Sequence, residues 1–272
     1  MKRINIITPI TKNSNPNSIL NLVLSITQQI TDKRIEILHI IVNCDYGNKK
    51  LEKLLNKINL YKFVRVLNIK SKNINSARNI AIKSNDADYI LHLETTDIIH
   101  PYFILSMLNK ELNNQTNKII LSNWKLLKNQ NLFKIKVNIT TGKMKYVDNI
   151  SNCFICPYRI ANEYLFDENI FLGFEYWDII LRYINNRNQF QKINNYGFFK
   201  TNYFRGYLNC SLKEYKLVMQ YFFIKYPDLY KKSILTEYKT FIGFLNCFSI
   251  KNNFLGKKYE SNLPNFYMNM NL

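Results

Sequence analysis

Three short stretches of this chain combine acids, bases and hydroxyls at spacings that suit chemistry. The first is Glu94-Thr95-Thr96-Asp97, directly after the apolar run Tyr89 to Leu93. Carboxylates at a strand end can hold a hard divalent cation, which binds diphosphate oxygens and steadies a departing diphosphate. The same residues also suit an ordinary strand-to-helix turn in which Asp97 caps a helix near Pro101. The second stretch is Ser76-Ala77-Arg78-Asn79 at a helix start. An arginine beside helix N-terminal amides suits a phosphate group; alternatively, Arg78 pairs with Asp86 or Asp88 on the surface. The third is Glu175-Tyr176-Trp177-Asp178, with Arg182 one turn on. A carboxylate there can take a proton from an attacking hydroxyl. Its plainer reading is an i,i+4 ion pair between Asp178 and Arg182.

The elements that must position these residues follow from hydrophobic pattern. Ile4 to Thr8, Ile35 to Val42, Phe63 to Ile69 and Tyr89 to Leu93 are short β-branched or apolar runs, predicted as buried strands. Between them, Ile19 to Ile30 (capped by Asn17 or Ser18), Leu51 to Ile58 and Asn75 to Lys83 carry apolar residues at helical spacing. Pro101 is expected at the first position of the next helix. Strand and helix alternate four times, which predicts a mostly parallel α/β sheet with helices on both faces. Such sheets bind ligands beyond the carboxyl ends of their strands. Pro9, the Asn43 to Asp45 turn and Glu94 to Asp97 therefore share one edge. Farther on, Lys118 to Trp124, Leu132 to Ile139 and Met144 to Val147 are strand-like, with a hairpin turn over Thr140 to Lys143. Glu175 to Asn186 is predicted helical, and so is the chain from Leu212 onward, with a break at Pro227.

In this order the stretches resemble family 2 glycosyltransferases of the GT-A fold. Asn75-Ser76-Ala77-Arg78-Asn79-Ile80-Ala81-Ile82, then Asp88-Tyr89-Ile90-Leu91-His92-Leu93-Glu94-Thr95-Thr96-Asp97 with Pro101 following, is similar to that family's ARN-G segment and its acidic strand end. Phe166-Asp167-Glu168 and then Gly173-Phe174-Glu175-Tyr176-Trp177-Asp178 are similar to its "FDE … G-EDWD" region. The resemblance runs over residues 3 to 200. It implies a Rossmann-like GT-A domain over 1–205, with a nucleotide-binding half (1–100) and an acceptor-side half (101–205), and a helical C-terminal extension over 206–272.

The resemblance also implies an activity: sugar transfer from a nucleoside-diphosphate sugar, expected to be UDP-linked, to a hydroxyl of a glycan or lipid-linked acceptor. Inversion and a place in surface-polysaccharide synthesis are expected. Thr8 and Pro9 would border the base, and Asn43 or Asp45 would contact it. Arg78 and Asn79 would lie near the donor. Glu94, Thr95 and Thr96 would sit at the ribose and diphosphate, with Asp97 and Glu94 ligating Mn²⁺ or Mg²⁺. Glu175 or Asp178 would be the catalytic base. The chain departs from the pattern where Thr96 replaces the usual metal-binding aspartate, Tyr176 the second acid of the pair, and Asn43 the expected base-contacting acid. A relative that binds sugar nucleotide or glycan without turnover is the alternative.

Composition bounds these readings. The apolar share of 47% can build a real core, and the net charge is +19. That charge favours polyanions, yet the lysines and arginines are scattered, and no nucleic-acid module is recognisable; nucleic acid is not the expected partner. Asn, Lys, Ile, Tyr and Phe are all favoured by AT-rich codons, so the charge by itself names no partner. Ile4 to Ile10 is too short for a signal peptide, and Phe241 to Ile250 is about half of a membrane span. The expectation is a cytoplasmic protein, with peripheral contact to an anionic membrane. Cys153 and Cys156 form a C-x-x-C without a second pair, read as two semi-buried thiols in preference to a metal or redox site.

Overall fold

The computed structural model describes residues 1–44, 48–70, 73–84, 86–113, 116–128, 131–137, 139, 150, 152–170, 174–201 and 212–230. Asp45, the expected strand Met144 to Val147 and the turn Thr140 to Lys143 lie outside them.

The first half folds as alternating strands and helices. Strand β1 (Lys2–Ile10) is followed by α1 (Pro16–Thr27), β2 (Ile35–Asn43), α2 (Lys49–Ile58), β3 (Val64–Asn68), α3 (Ile74–Lys83) and β4 (Tyr89–His92). Asparagine starts each of these helices. Asn15, Asn48 and Asn73 accept hydrogen bonds from Asn17 N, Leu51 N and Asn75 N at 2.9, 3.2 and 2.8 Å. Each satisfies an amide that the helix itself leaves unpaired. The first cap is thus Asn15 and not Asn17 or Ser18, because Pro16 is preorganised for the first helical position.

Strands β3, β2, β1 and β4 pair in parallel in that order. Ile6 and Ile7 of β1 are adjacent and both fully buried, so the sheet is covered on its two faces. Each such side chain contributes about 1.5–3 kcal/mol. On one side α1 and α2 join Ile10, Ile41 and Val64 in an apolar cluster; α3 packs on β1 and β2 within the main core.

The second half extends the sheet differently. β5 (Asp97–Ile99), α4 (Phe103–Asn113), β6 (Ile119–Lys128), β7 (Asn131–Ile135), β8 (Phe154–Pro157), α5 (Tyr158–Glu163), α6 (Glu175–Asn185) and β9 (Phe190–Lys200) follow in chain order. The sheet continues from β4 through β8, β6 and β9 to β5, with β7 on β6. β8 runs antiparallel to both β4 and β6, and β5 is antiparallel to β9. The pattern analysis missed β5, β8 and β9. Asp97 opens a strand and caps no helix: Pro101 and Tyr102 form a turn, and α4 begins at Phe103.

Beyond residue 205, α7 (Leu212–Lys225) and α8 (Pro227–Tyr230) continue the chain, divided before Pro227 as its missing amide requires. α7 packs on α6: Phe222 is buried and its ring meets Trp177 edge-on at 5.1 Å. Among the described residues, no helix is long and apolar enough to cross a membrane.

Candidate functional site

The carboxyl edge of the parallel strands gathers most of the predicted site residues, though not in the expected roles. Thr8 and Pro9 stand inside β1, which runs on to Ile10, so neither belongs to the loop that follows. The Thr8 hydroxyl is buried against His39 Nε2 at 3.0 Å. Burial lowers the His39 pKa to about 3, so the imidazole is neutral. Asn43 ends β2 and donates to Asn68 Oδ1 of β3 at 3.0 Å. Both asparagines line a cavity of about 260 Å³ with Glu52, Asn56 and Val66; it lies at the β2–β3 end of the edge, away from the acidic turn.

Helix α3 is knitted to the segment before α6 by its own amide side chains. Asn79 accepts from Phe166 N at 2.9 Å and donates to Phe166 O at 3.0 Å and Glu168 Oε1 at 3.2 Å. Asn75 donates to Asp167 O and Ile170 O at 2.8 and 2.7 Å. Asn79 is therefore a clamp, with both amide protons committed to Phe166 O and Glu168 Oε1. Asn73 takes the amides of Asn75 and Ser76, so the start of α3 does not offer them to a phosphate.

The clamp sets Phe166 beneath Arg78. The guanidinium lies 5.2 Å from the Phe166 ring centre and 4.8 Å from that of Tyr176, and it donates to Asn75 Oδ1 at 2.6 Å. Arg78 is buried and makes no pair with Asp86 or Asp88; Asp88 bonds Lys2 and the Arg3 amide. Burial opposes the charge on Arg78, but Tyr176, Glu175 and Glu94 together outweigh it and raise its pKa. One buried cation thus senses the α6 acid and the strand-end acid together. His92 meets Phe166 edge-on at 4.9 Å, and burial with Arg78 nearby drives its pKa down. Among the described residues, His92 Nδ1 is buried with no hydrogen-bond partner, while the buried Arg78 guanidinium and Tyr176 hydroxyl interact with each other. Buried polar atoms left unpaired are costly and rare.

The turn Glu94 to Asp97 is closed on itself. Glu94 N donates to Asp97 Oδ2 at 2.7 Å, and Asp97 N donates to Glu94 O at 3.0 Å. Thr96 presents its carbonyl to the Thr201 hydroxyl at 2.7 Å, while the Thr95 and Thr96 side chains are half-buried at the turn. The centre of the turn is Lys200, at the end of β9 and in register with Asp97 across the β5–β9 pair. Its ammonium donates to Glu94 Oε2 at 3.0 Å, Asp97 Oδ1 at 3.2 Å and Asn152 Oδ1 at 2.7 Å. Asn152 in turn donates to Asp97 Oδ2 and to His92 O. Burial pushes the Asp97 carboxyl up in pKa, with Lys200 opposing and Glu94 adding to the rise. Burial also works against ionised Glu94, but Lys200 and Arg78 outweigh it and hold that carboxyl below the usual range.

Neither Lys200 nor Asn152 was found by motif. The one signal was a lysine closing the aromatic run Tyr196 to Phe199, where an apolar residue would fit the strand.

Asp178 separates from Glu175. It is buried between α6 and α7, where it accepts from Lys225 at 2.7 Å, Tyr226 Oη at 2.7 Å and Arg182 at 3.3 Å. The i,i+4 pair with Arg182 is present, and Asp178 serves as an anchor, not as a base facing the strand-end turn. Glu175, half-buried on the first turn of α6, remains beside Arg78. Cys153 and Cys156 are buried, unbridged thiols, and burial pushes Cys156 up to about 12. Among the described residues, no three His, Cys, Asp or Glu side chains group as a metal site.

The sheet order and helix placement define a GT-A fold. The chain is similar to crystal structures of S. aureus TarS. It matches TarS 1-349 at TM-score 0.62 and 16% identity, covering 80% of this chain and 63% of that one. TarS 1-349 in complex with UDP-GlcNAc matches at TM-score 0.61 and 16% identity, covering 91% and 80% respectively. The complex with UDP matches at TM-score 0.60 and 18% identity, covering 74% and 61%. Against a longer TarS structure the chain spans 40% of that length. No protein-family model and no curated protein sequence matches the chain.

Proposed function

We propose that the chain is a glycosyltransferase that moves a sugar from a UDP-linked donor to a hydroxyl of a glycan or lipid-linked saccharide. The observation that carries this reading is the convergence on Arg78 of α3, whose guanidinium lies 4.8 Å from the ring centre of Tyr176 on α6 and 5.2 Å from that of Phe166, the ring that His92 of β4 meets at 4.9 Å. Three separated stretches thereby meet at the carboxyl edge, where α/β sheets bind ligands. The similarity to structures holding UDP and UDP-GlcNAc supports the donor class.

In this reading Glu175 accepts the proton of the acceptor hydroxyl as its oxygen attacks the anomeric carbon. The bond from that carbon to the diphosphate oxygen breaks, and UDP leaves with the electron pair; attack opposite the leaving group inverts the centre. Arg78, fixed between Phe166 and Tyr176, supplies positive charge in a low-dielectric wall, where it offsets charge developing on the diphosphate. Asn75 and Asn79 hold that wall in place.

The test is UDP-GlcNAc turnover and UDP binding for the native chain and Glu175→Gln. The expected result is UDP binding in both proteins, with transfer and donor hydrolysis lost only in the variant. Binding of UDP without turnover in the native chain would identify a sugar-nucleotide-binding relative instead. Equal turnover in both proteins would remove Glu175 from the mechanism.

A further inference from the structure

The Lys200 ammonium occupies the position between the two carboxylates of the strand-end turn. It has three protons, and three oxygens take them: Glu94 Oε2, Asp97 Oδ1 and Asn152 Oδ1 at 3.0, 3.2 and 2.7 Å. The side chain of Lys200 is 3% exposed and that of Asp97 is fully buried. The other oxygen of Asp97 is also committed, to the amide of Glu94 and to Asn152. Asn152 makes this lock reciprocal, because its oxygen receives from Lys200 while its amide donates to Asp97.

A hard divalent cation requires about six oxygen ligands at about 2.0–2.6 Å. An ion ligated by Glu94 and Asp97 would have to enter the volume of the Lys200 amine and would face its charge. Thr96 offers no carboxylate outside that volume. A divalent cation does not fit the acidic turn as this chain builds it.

We propose that the Lys200 ammonium takes the place of a divalent cation at this turn, so that the pocket binds its nucleoside-diphosphate donor without a metal ion. The inference rests on the donor reading given above. Lys200 and Arg78 together carry the two positive charges that one divalent ion would bring, and both act on Glu94. Lys200 is a positioning residue: it fixes the Glu94 and Asp97 carboxylates, and its three donors are all spent on protein. A divalent ion would be held from the donor side and could leave with the product. The ammonium is tethered to β9 and stays.

Two measurements test this. The first is calorimetric titration of the native chain with UDP, in EDTA and in Mn²⁺. The expected affinity is the same in both. A gain of about tenfold with Mn²⁺, equivalent to about 1.4 kcal/mol, overturns the inference while leaving the donor reading intact. Absence of UDP binding in both conditions overturns the donor reading itself. The second is thermal denaturation without nucleotide, for the native chain and Lys200→Ala. Removing the amine leaves the Glu94, Asp97 and Asn152 oxygens around an open volume. Mn²⁺ is expected to raise the melting temperature of Lys200→Ala, to leave the native chain unmoved, and to lose its effect in Lys200→Ala/Asp97→Asn. A lysine with a merely structural role would confer no cation dependence on removal, so a variant indifferent to Mn²⁺ overturns the substitution. Should Lys200→Ala fail to fold, the titration of the native chain decides alone.

Discussion

Lys225→Met isolates one charged contact that joins α7 to the rest of the molecule. The Lys225 ammonium is 19% exposed and bridges Asp167 and Asp178, whose side chains are 11% and 1% exposed. Methionine preserves most of the volume and removes the charge. Breaking a buried ion pair from one side costs about 3–5 kcal/mol, because the partner charge is left uncompensated. Here part of that loss is cushioned. Asp178 keeps the Tyr226 hydroxyl at 2.7 Å and Arg182 at 3.3 Å, and Asp167 keeps the Tyr221 hydroxyl. The lower end of the range applies, about 3 kcal/mol, which corresponds to a fall in melting temperature of roughly 6–12 °C at this chain length. Thermal unfolding followed by circular dichroism measures it, with Lys225→Arg as the control that restores the charge. A melting temperature equal to that of the native chain would refute the claim that α7 is locked to α6 through this pair.

The same perturbation bears on the site. Asp178 lies three residues from Glu175 on the first turn of α6, so loosening the anchor displaces the proposed base. Turnover is expected to fall in Lys225→Met while UDP affinity holds. Asp178→Asn then separates two roles. As an anchor, Asp178 loses stability on this change together with the partial loss of turnover expected of Lys225→Met; as a base, it would lose turnover entirely and keep stability. We expect the first outcome.

Two further predictions concern the support of the site. Asn79→Ala removes the amide that satisfies both Phe166 N and Phe166 O, and leaving two buried backbone groups unpaired costs about 2–4 kcal/mol, measurable by urea unfolding. The Asp167 carboxyl is held at about 2: burial raises it, but hydrogen bonds from Lys225, Tyr221 and the Asn169 amide win. Because the folded value lies below the ordinary 3.8, its contribution is present above that pH and is lost as pH falls toward about 2. Asp167→Asn is expected to flatten acid unfolding in that window; an unchanged acid limb would remove Asp167 from the account.

What could be read from the chain alone divides along the sheet. Of the parallel strands, β1, β2 and β4 are buried on both faces over most of their length and present near-continuous apolar runs that local pattern detects, while β3 is an edge strand whose Val64, Val66 and Leu67 carry the signal around an exposed Arg65. Two of the three missed strands lack that signal, while β8 (Phe154–Pro157) is buried throughout but only four residues long and ends at a proline. β5 is three residues long, and β9 is half-buried for most of its length, mixing Gln191, Lys192 and Asn194 with its aromatics. The same division explains the site. Arg78, Glu94 and Glu175 could be named as candidates because their order along the chain is itself informative. Lys200 was not, because its meaning depends on a register: only the β5–β9 pairing sets it opposite Asp97, 103 residues earlier. Asp178 shows the reverse error. Helical spacing revealed Arg182 as its neighbour, but Lys225 at the end of α7 and Tyr226 just after it convert an apparent surface acid into a buried anchor.

The absent aspartate at Thr96 gains its sense from the same long-range pairing. Read locally, a threonine between Glu94 and Asp97 is a defect in a cation site. With Lys200 inserted from β9, another carboxylate would leave the turn with more negative charge than one ammonium and Arg78 can balance. The acidic segment and the lysine are two parts of one device, and the strand register is what joins them.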